Sequence, residues 1–65
     1  MNKVKGYRAM FGYTQSEMAK CIGMSRRTYS NREKDGNFTL NQAKIITEIF
    51  KQKNPNITYE DIFLD

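Results

Sequence analysis

Three arginines, two serines and an asparagine fall in one string, Gly23-Met24-Ser25-Arg26-Arg27-Thr28-Tyr29-Ser30-Asn31-Arg32-Glu33, with Met24 and Tyr29 as its only large apolar members. An arginine fork can pair with guanine O6 and N7, and an asparagine amide with adenine, each worth about 1–3 kcal/mol of discrimination. The plain alternative for Arg26 and Arg27 is a solvated helix start. Cations in a first helical turn oppose the macrodipole by about 0.3–1 kcal/mol each, a cost that contact with an anion would offset. Asn31 stands open between an adenine contact and an ordinary surface residue. Which of Arg26 and Arg27 would meet a base, and which a phosphate, is also open.

Other chemistry is thinly represented. The chain has no His, which removes the commonest general base and the commonest zinc ligand. Its one cysteine, Cys21, forms neither an internal disulfide nor a multi-cysteine metal site, and it reads as a small apolar residue suited to a reducing cytoplasm. There is no Gly-rich phosphate loop and no nucleophile-base-orienter set, so no enzyme, cofactor, metal or small-molecule ligand is expected. Sixty-five residues make one domain, spanning 1–65. A chain this short buries only about 60% of its unfolded surface, so it must rely on compact local packing or on a partner. No apolar run approaches a membrane span, and MNKVKGYRAMF does not read as a secretory signal.

The charge is uneven. The net charge is +4 and the pI about 9.4, which suits a polyanion. Lys3, Lys5, Arg8, Lys20, Arg26, Arg27, Arg32 and Lys34 face only Glu17 and Glu33 before position 35. Beyond it, Lys44, Lys51 and Lys53 stand against Asp35, Glu48, Glu60, Asp61 and Asp65. A negatively charged partner should therefore meet the N-terminal half.

The elements that must position these groups are announced by their caps. Thr14 with Glu17, and Thr39 with Gln42, have the spacing of capping boxes, and Ser25 and Thr58 are further good N-caps. Asp61 adds a negative charge to the first turn after Thr58. Tyr13, Met24, Phe38 and Ile57 precede the caps, and Met18, Tyr29, Ala43 and Ile62 follow four places after them, as hydrophobic staples do. The stops agree: Gly12 closes a first helix from about Asn2 to Phe11, Gly23 a second over 15–22, and Asp35-Gly36 a third begun at Ser25. A fourth runs from Leu40 to about Lys53, with Leu40, Ala43, Ile46, Ile49 and Phe50 on one face, until Asn54-Pro55-Asn56 breaks it. A fifth spans Tyr59 to Leu64. The class is all-α, a bundle of five short helices. Tyr7, Met10, Phe11 and Phe38 read as core or its rim.

Only Gly23 and Met24 separate the second helix from the Ser25 cap, and so short a turn is that of a helix-turn-helix. Ala19 is small where the two helices cross, and Met18, Ile22 and Tyr29 are apolar where they face. Here the string YTQSEMAKCIGMSRRTYSNREKDG resembles the helix-turn-helix core of the phage repressor and Cro family. The matching places are Thr14-Gln15, Glu17-Met18-Ala19, Gly23-Met24-Ser25 and, with one extra residue, Glu33-Lys34-Asp35-Gly36. Ile57 to Phe63 resembles the family's closing short helix.

That resemblance implies a lambda-repressor-like DNA-binding fold in which the helix after Ser25 enters the major groove of an operator. It implies Arg26, Arg27, Ser30 and Asn31 as base contacts, and Gln15, Thr14, Ser25, Lys34 and Asn37 as phosphate contacts. Lys3, Lys5, Lys34 and Asn37 are peripheral phosphate contacts or simply solvated charge. Arg8 and Glu33 match an ion pair that ties the first helix to the end of the recognition helix. The implied partner is double-stranded DNA, and the setting is the nucleoid in a bacterial or phage-infected cell. Ile62, Phe63 and Leu64 offer a surface for a homodimer, or else close the core. Two departures stand out. Arg32 occupies a place where relatives carry an apolar residue, so either its stem packs and its head turns outward or the helix is rotated. The connection through Gln52-Lys53-Asn54-Pro55-Asn56 is also longer than usual. A different reading of the same fold is a protein-interaction module, such as an antitoxin-like partner binder.

Overall fold

Polar caps decide where the helices begin. In the computed structural model, which describes residues 2–64, Thr14 Oγ1 accepts from the Glu17 N–H at 3.0 Å while Glu17 Oε1 accepts from the Thr14 N–H at 2.8 Å. The same reciprocal pair joins Thr39 to Gln42 and Thr58 to Asp61, and Ser25 Oγ accepts from the Thr28 N–H at 3.1 Å. The Thr58–Asp61 box was visible in the sequence only as a cap followed by a favourable charge. The helices so begun are α2 (Gln15–Ile22), α3 (Arg26–Asp35), α4 (Leu40–Lys51) and α5 (Tyr59–Phe63), preceded by α1 (Val4–Phe11). There is no strand among the described residues.

Three boundaries differ from the sequence expectation. The first helix begins at Val4 rather than Asn2, because Lys3 leaves helical geometry and Asn2 Oδ1 accepts from the Val4 N–H at 3.1 Å from outside. The fourth stops at Lys51 rather than Lys53, where the chain tightens into bonds from Gln52 N–H to Ile49 O and Lys53 N–H to Phe50 O. The fifth stops at Phe63, with Leu64 already extended.

Between α2 and α3 the chain reverses at Gly23, whose φ of 88° lies in the left-handed region where a side chain would be strained. Its N–H and that of Met24 both donate to the Ala19 carbonyl, closing α2 and turning the chain to Ser25 in two residues. Gly12 and Gly36 end α1 and α3 in the same conformation.

The core forms where these faces converge. Val4, Met18, Ala19, Tyr29, Ile46, Ile49, Phe50, Ile57 and Ile62 make one buried cluster. Phe50 lies at its centre, ringed by Tyr7, Phe11 and Tyr13 at centroid distances of 6.2, 5.4 and 6.3 Å. α2 packs on α3 and α4, and α1 packs on α4 and α5. The Lys3 N–H donates to the Ile62 carbonyl at 2.8 Å, so the start of α1 is tied to α5. The longer α4–α5 connection is held by Lys51 Nζ donating to Ile57 O at 2.7 Å and by the Ile57 N–H donating to Asn54 O at 3.0 Å.

Some residues read as core lie outside it. Met10 is 70% exposed and Leu40 62% exposed. Each is apolar in type, but neither is packed against the core cluster. Cys21 is exposed. In the C-terminal segment, Ile62 is 1% exposed and belongs to the core, so it cannot form part of a dimer surface. Phe63 is half-buried against Tyr59 at 5.0 Å, which leaves Leu64 as the exposed member of that trio. No described helix is long and apolar enough to cross a membrane.

Candidate nucleic-acid interface

α3 carries two unlike faces. Tyr29 and Glu33, one turn apart, point into the molecule and are buried. Arg27, Asn31 and Lys34 follow at spacings of four and three and form an exposed ridge on the far side. Arg26 is exposed and Ser30 half-buried on the flank of that ridge. The side chains of Arg26, Arg27, Asn31 and Lys34 have no hydrogen-bond or ion-pair partner among the described residues.

The inner face is held by a carboxylate that accepts from three residues. Glu33 Oε2 accepts from Arg8 Nε at 2.9 Å and from the Tyr29 hydroxyl at 2.7 Å. Oε1 accepts from Arg8 Nη2 at 3.2 Å and from Gln15 Nε2 at 3.1 Å. Arg8 Nη1 donates in addition to the Tyr13 carbonyl at 2.9 Å. The Arg8 and Glu33 side chains are 14% and 3% exposed, so the pair is well shielded from solvent. α1, the start of α2 and α3 therefore meet at one group, which sets the angle of α3 against the rest.

The electrostatics follow from this geometry. Burial alone would raise the Glu33 carboxyl, but the hydrogen bonds from Arg8, Tyr29 and Gln15 outweigh it and hold its pKa below the ordinary 4.5. The hydrogen bond to Glu33 raises the Arg8 guanidinium against the opposing effect of burial. Burial, and then the bond to Glu33, push the Tyr29 phenol up, so it stays a proton donor at neutral pH.

Beside the outer ridge lies an open groove lined by Asn2, Lys5, Gln15, Ser30, Glu33 and Lys34. It joins the start of α2, where the first backbone N–H groups lack intrahelical partners, to two lysines. Within it the Gln15 amide is turned inward to Glu33, with one of its two N–H groups used. Ser25 spends its own proton on Thr28 Oγ1 at 2.9 Å, besides capping α3, while Thr14 Oγ1 caps α2. Arg32 resolves the departure at its position by packing its stem, half-buried, and turning its head to the end of its own helix. There Nη1 donates to the Asn37 carbonyl at 3.1 Å, and the buried Nε has no partner.

A helix-turn-helix family model matches residues 4–56, most of the 65-residue chain. The chain belongs to the Cro/CI-type helix-turn-helix regulators. No match was found among curated proteins or among solved structures. As a helix-turn-helix regulator the protein binds DNA, and its five helices fit the lambda-repressor-like fold with α2 and α3 as the motif.

Within this helix-turn-helix, the residues singled out from the sequence fall into separate places. Arg26, Arg27, Ser30 and Asn31 share the exposed side of α3, with Lys34 one turn on. Thr14 and Gln15 gather at the start of α2, and Ser25 stands at the turn. Asn37 is exposed beyond the end of α3, its carbonyl engaged by Arg32. Sequence reasoning missed the Tyr29 hydroxyl and Asn2 as parts of the site, and named Lys5 only as a peripheral phosphate contact or solvated charge. The four-residue spacing from Tyr29 to Glu33 was the available signal for the first; Asn2 and Lys5 join the groove only through the tertiary packing of α1.

Proposed function

We propose that this regulator is a sequence-specific repressor of the phage or mobile-element type, which occludes a promoter by laying α3 in the major groove of double-stranded DNA. Arg26, Arg27, Ser30 and Asn31 meet base edges, while Thr14, Gln15, Ser25, Lys34 and Asn37 meet backbone phosphates. It acts on the nucleoid, in the cytoplasm of a bacterial or phage-infected cell. A pair of copies would occupy half-sites about 34 Å apart.

One observation carries this reading: the cations and the amide on the outer ridge of α3 have no partner among the described residues, while Tyr29 and Glu33 on its inner face are satisfied. Two of those cations, Arg26 and Arg27, stand in the first turn, where they oppose the helix dipole. A duplex supplies both what neutralises them and what an arginine fork can read.

A gel-shift selection from random duplexes, repeated with Arg26→Ala and Arg27→Ala, tests the assignment. The wild-type protein should enrich one sequence class, and at least one of the two variants should lose the preference at a defined base pair. The affinity of the wild-type protein should fall with salt at about 0.9 log units per log unit for every phosphate neutralised by a lysine or arginine. A flat salt response, or equal affinity for scrambled duplexes, would instead favour the protein-interaction reading of the fold.

A further inference from the structure

The ring of Tyr29 fills core space beside Phe38, with centroids 5.4 Å apart, and a phenylalanine would fill it as well. Its hydroxyl is not needed for that packing, yet it makes the shortest bond in the Glu33 cluster, at 2.7 Å. We propose that Tyr29 is a positioning residue for DNA binding: through Glu33 its hydroxyl fixes which end of the Gln15 amide is offered to a phosphate. The inference rests on the reading above, in which Gln15 meets the DNA backbone.

The chemistry of the three groups makes the case. An ionised carboxylate only accepts, so the edge of Gln15 that faces Glu33 Oε1 must be its NH2 and not its carbonyl. One N–H is used there, and the second stays on the same nitrogen, available to the groove that Lys5, Ser30 and Lys34 also line. A reversed amide would present its oxygen to the carboxylate and its nitrogen away from it, losing the bond that holds it. The Glu33 carboxylate thus sets the polarity of Gln15. The Arg8 fork grips both carboxylate oxygens along one direction, and Tyr29 adds a bond to Oε2 from the core. Without the hydroxyl, Oε2 loses a partner in a site shielded from water, and the carboxylate regains freedom to tilt away from Gln15.

The test compares wild type with Tyr29→Phe, Gln15→Ala and the double variant, with Phe38→Leu as a control that loosens the same part of the core and keeps the hydroxyl. In the free protein, side-chain amide NMR should show the two Gln15 protons well separated and ordered, and Tyr29→Phe should draw them toward free-amide positions while Phe38→Leu does not. On the selected duplex, Tyr29→Phe should weaken binding by about threefold to tenfold. Gln15→Ala should weaken binding at least as much, the double variant no more than Gln15→Ala alone, and the salt slope should stay at the wild-type value because the amide is neutral. If Tyr29→Phe lowers the melting temperature yet leaves the Gln15 resonances and the duplex affinity at wild-type values, the hydroxyl is merely structural and the proposal falls. A Gln15→Ala affinity equal to wild type on the selected duplex also overturns it, since no phosphate contact would exist to position. Wild-type protein with no salt-dependent duplex binding overturns the DNA reading itself, and is told apart because the free-protein resonances can still respond.

Discussion

The two faces of α3 are built from the same kinds of residue and put to opposite ends. On the inner face a guanidinium, an amide and a phenol each donate within 3.2 Å to the oxygens of one carboxylate, and each has a partner. On the outer face two guanidiniums, an amide and an ammonium stand exposed with no partner among the described residues. Polar groups closed off from water must be satisfied where they lie, so the inner set is committed to structure. Exposed ones can wait for a ligand. The difference teaches that charge on this helix is no guide to role until burial and partners are known, and it makes different demands on mutation at each face.

The largest expected effect is on the inner face. Glu33→Ala leaves Arg8 without its counter-charge and the Tyr29 hydroxyl unpaired in a shielded site, and should cost about 3–5 kcal/mol in urea unfolding. A chain of this size has only about 3–10 kcal/mol in all, so the variant should lose a large share of its stability and unfold at much lower urea. A loss below about 1 kcal/mol would put the pair in the class of exposed ion pairs and erase the contrast between the faces. A pH series should reveal the same network more gently. Because folding holds the Glu33 carboxyl below its ordinary 4.5, its contribution is present in full above that value and is lost as pH falls through the lower folded value. Urea midpoints should therefore be level from neutrality to about pH 5 and decline in more acid solution. That decline should be shallower in a Glu33→Gln variant.

The outer face should respond in binding and not in folding. Arg26→Ala and Arg27→Ala should leave the urea midpoint unchanged or slightly raised, since each removes a cation from a first helical turn. Whichever of them reads a guanine should lose about 1–3 kcal/mol of discrimination in competition binding. The smallest effect belongs to Lys34→Ala. It should weaken binding alike on all sequences and reduce the salt slope by up to about 0.9, which a titration across salt concentrations will resolve.

Most of the fold could be read from the chain because the signals are local. Thr14, Ser25, Thr39 and Thr58 cap the four helices they precede, and Gly12, Gly23 and Gly36 end the first three. Helix ends without such markers were misjudged: Asn2 acts from outside α1, and α4 tightens before its expected end. Hydrophobic periodicity gives the angle of a side chain but not whether another element covers it, which is why Leu40 and Met10 are exposed. At the site, the Arg8–Glu33 pair was suggested by resemblance and not by spacing, since the two residues are 25 positions apart. The inward turn of Gln15 and the packing of Arg32 depend on which groups arrive from other helices, and no local pattern carries that information.

The central claim is that DNA meets the outer ridge of α3 and the start of α2, and an NMR titration of backbone amides with a selected duplex tests it most directly. The shifts should concentrate at residues 14–16 and 25–31, with Lys34 following, and should be smaller and less localised with a scrambled duplex. Shifts gathered instead on the other side of the molecule, around Lys44, Glu48 and Tyr59 between α4 and α5, would contradict the account.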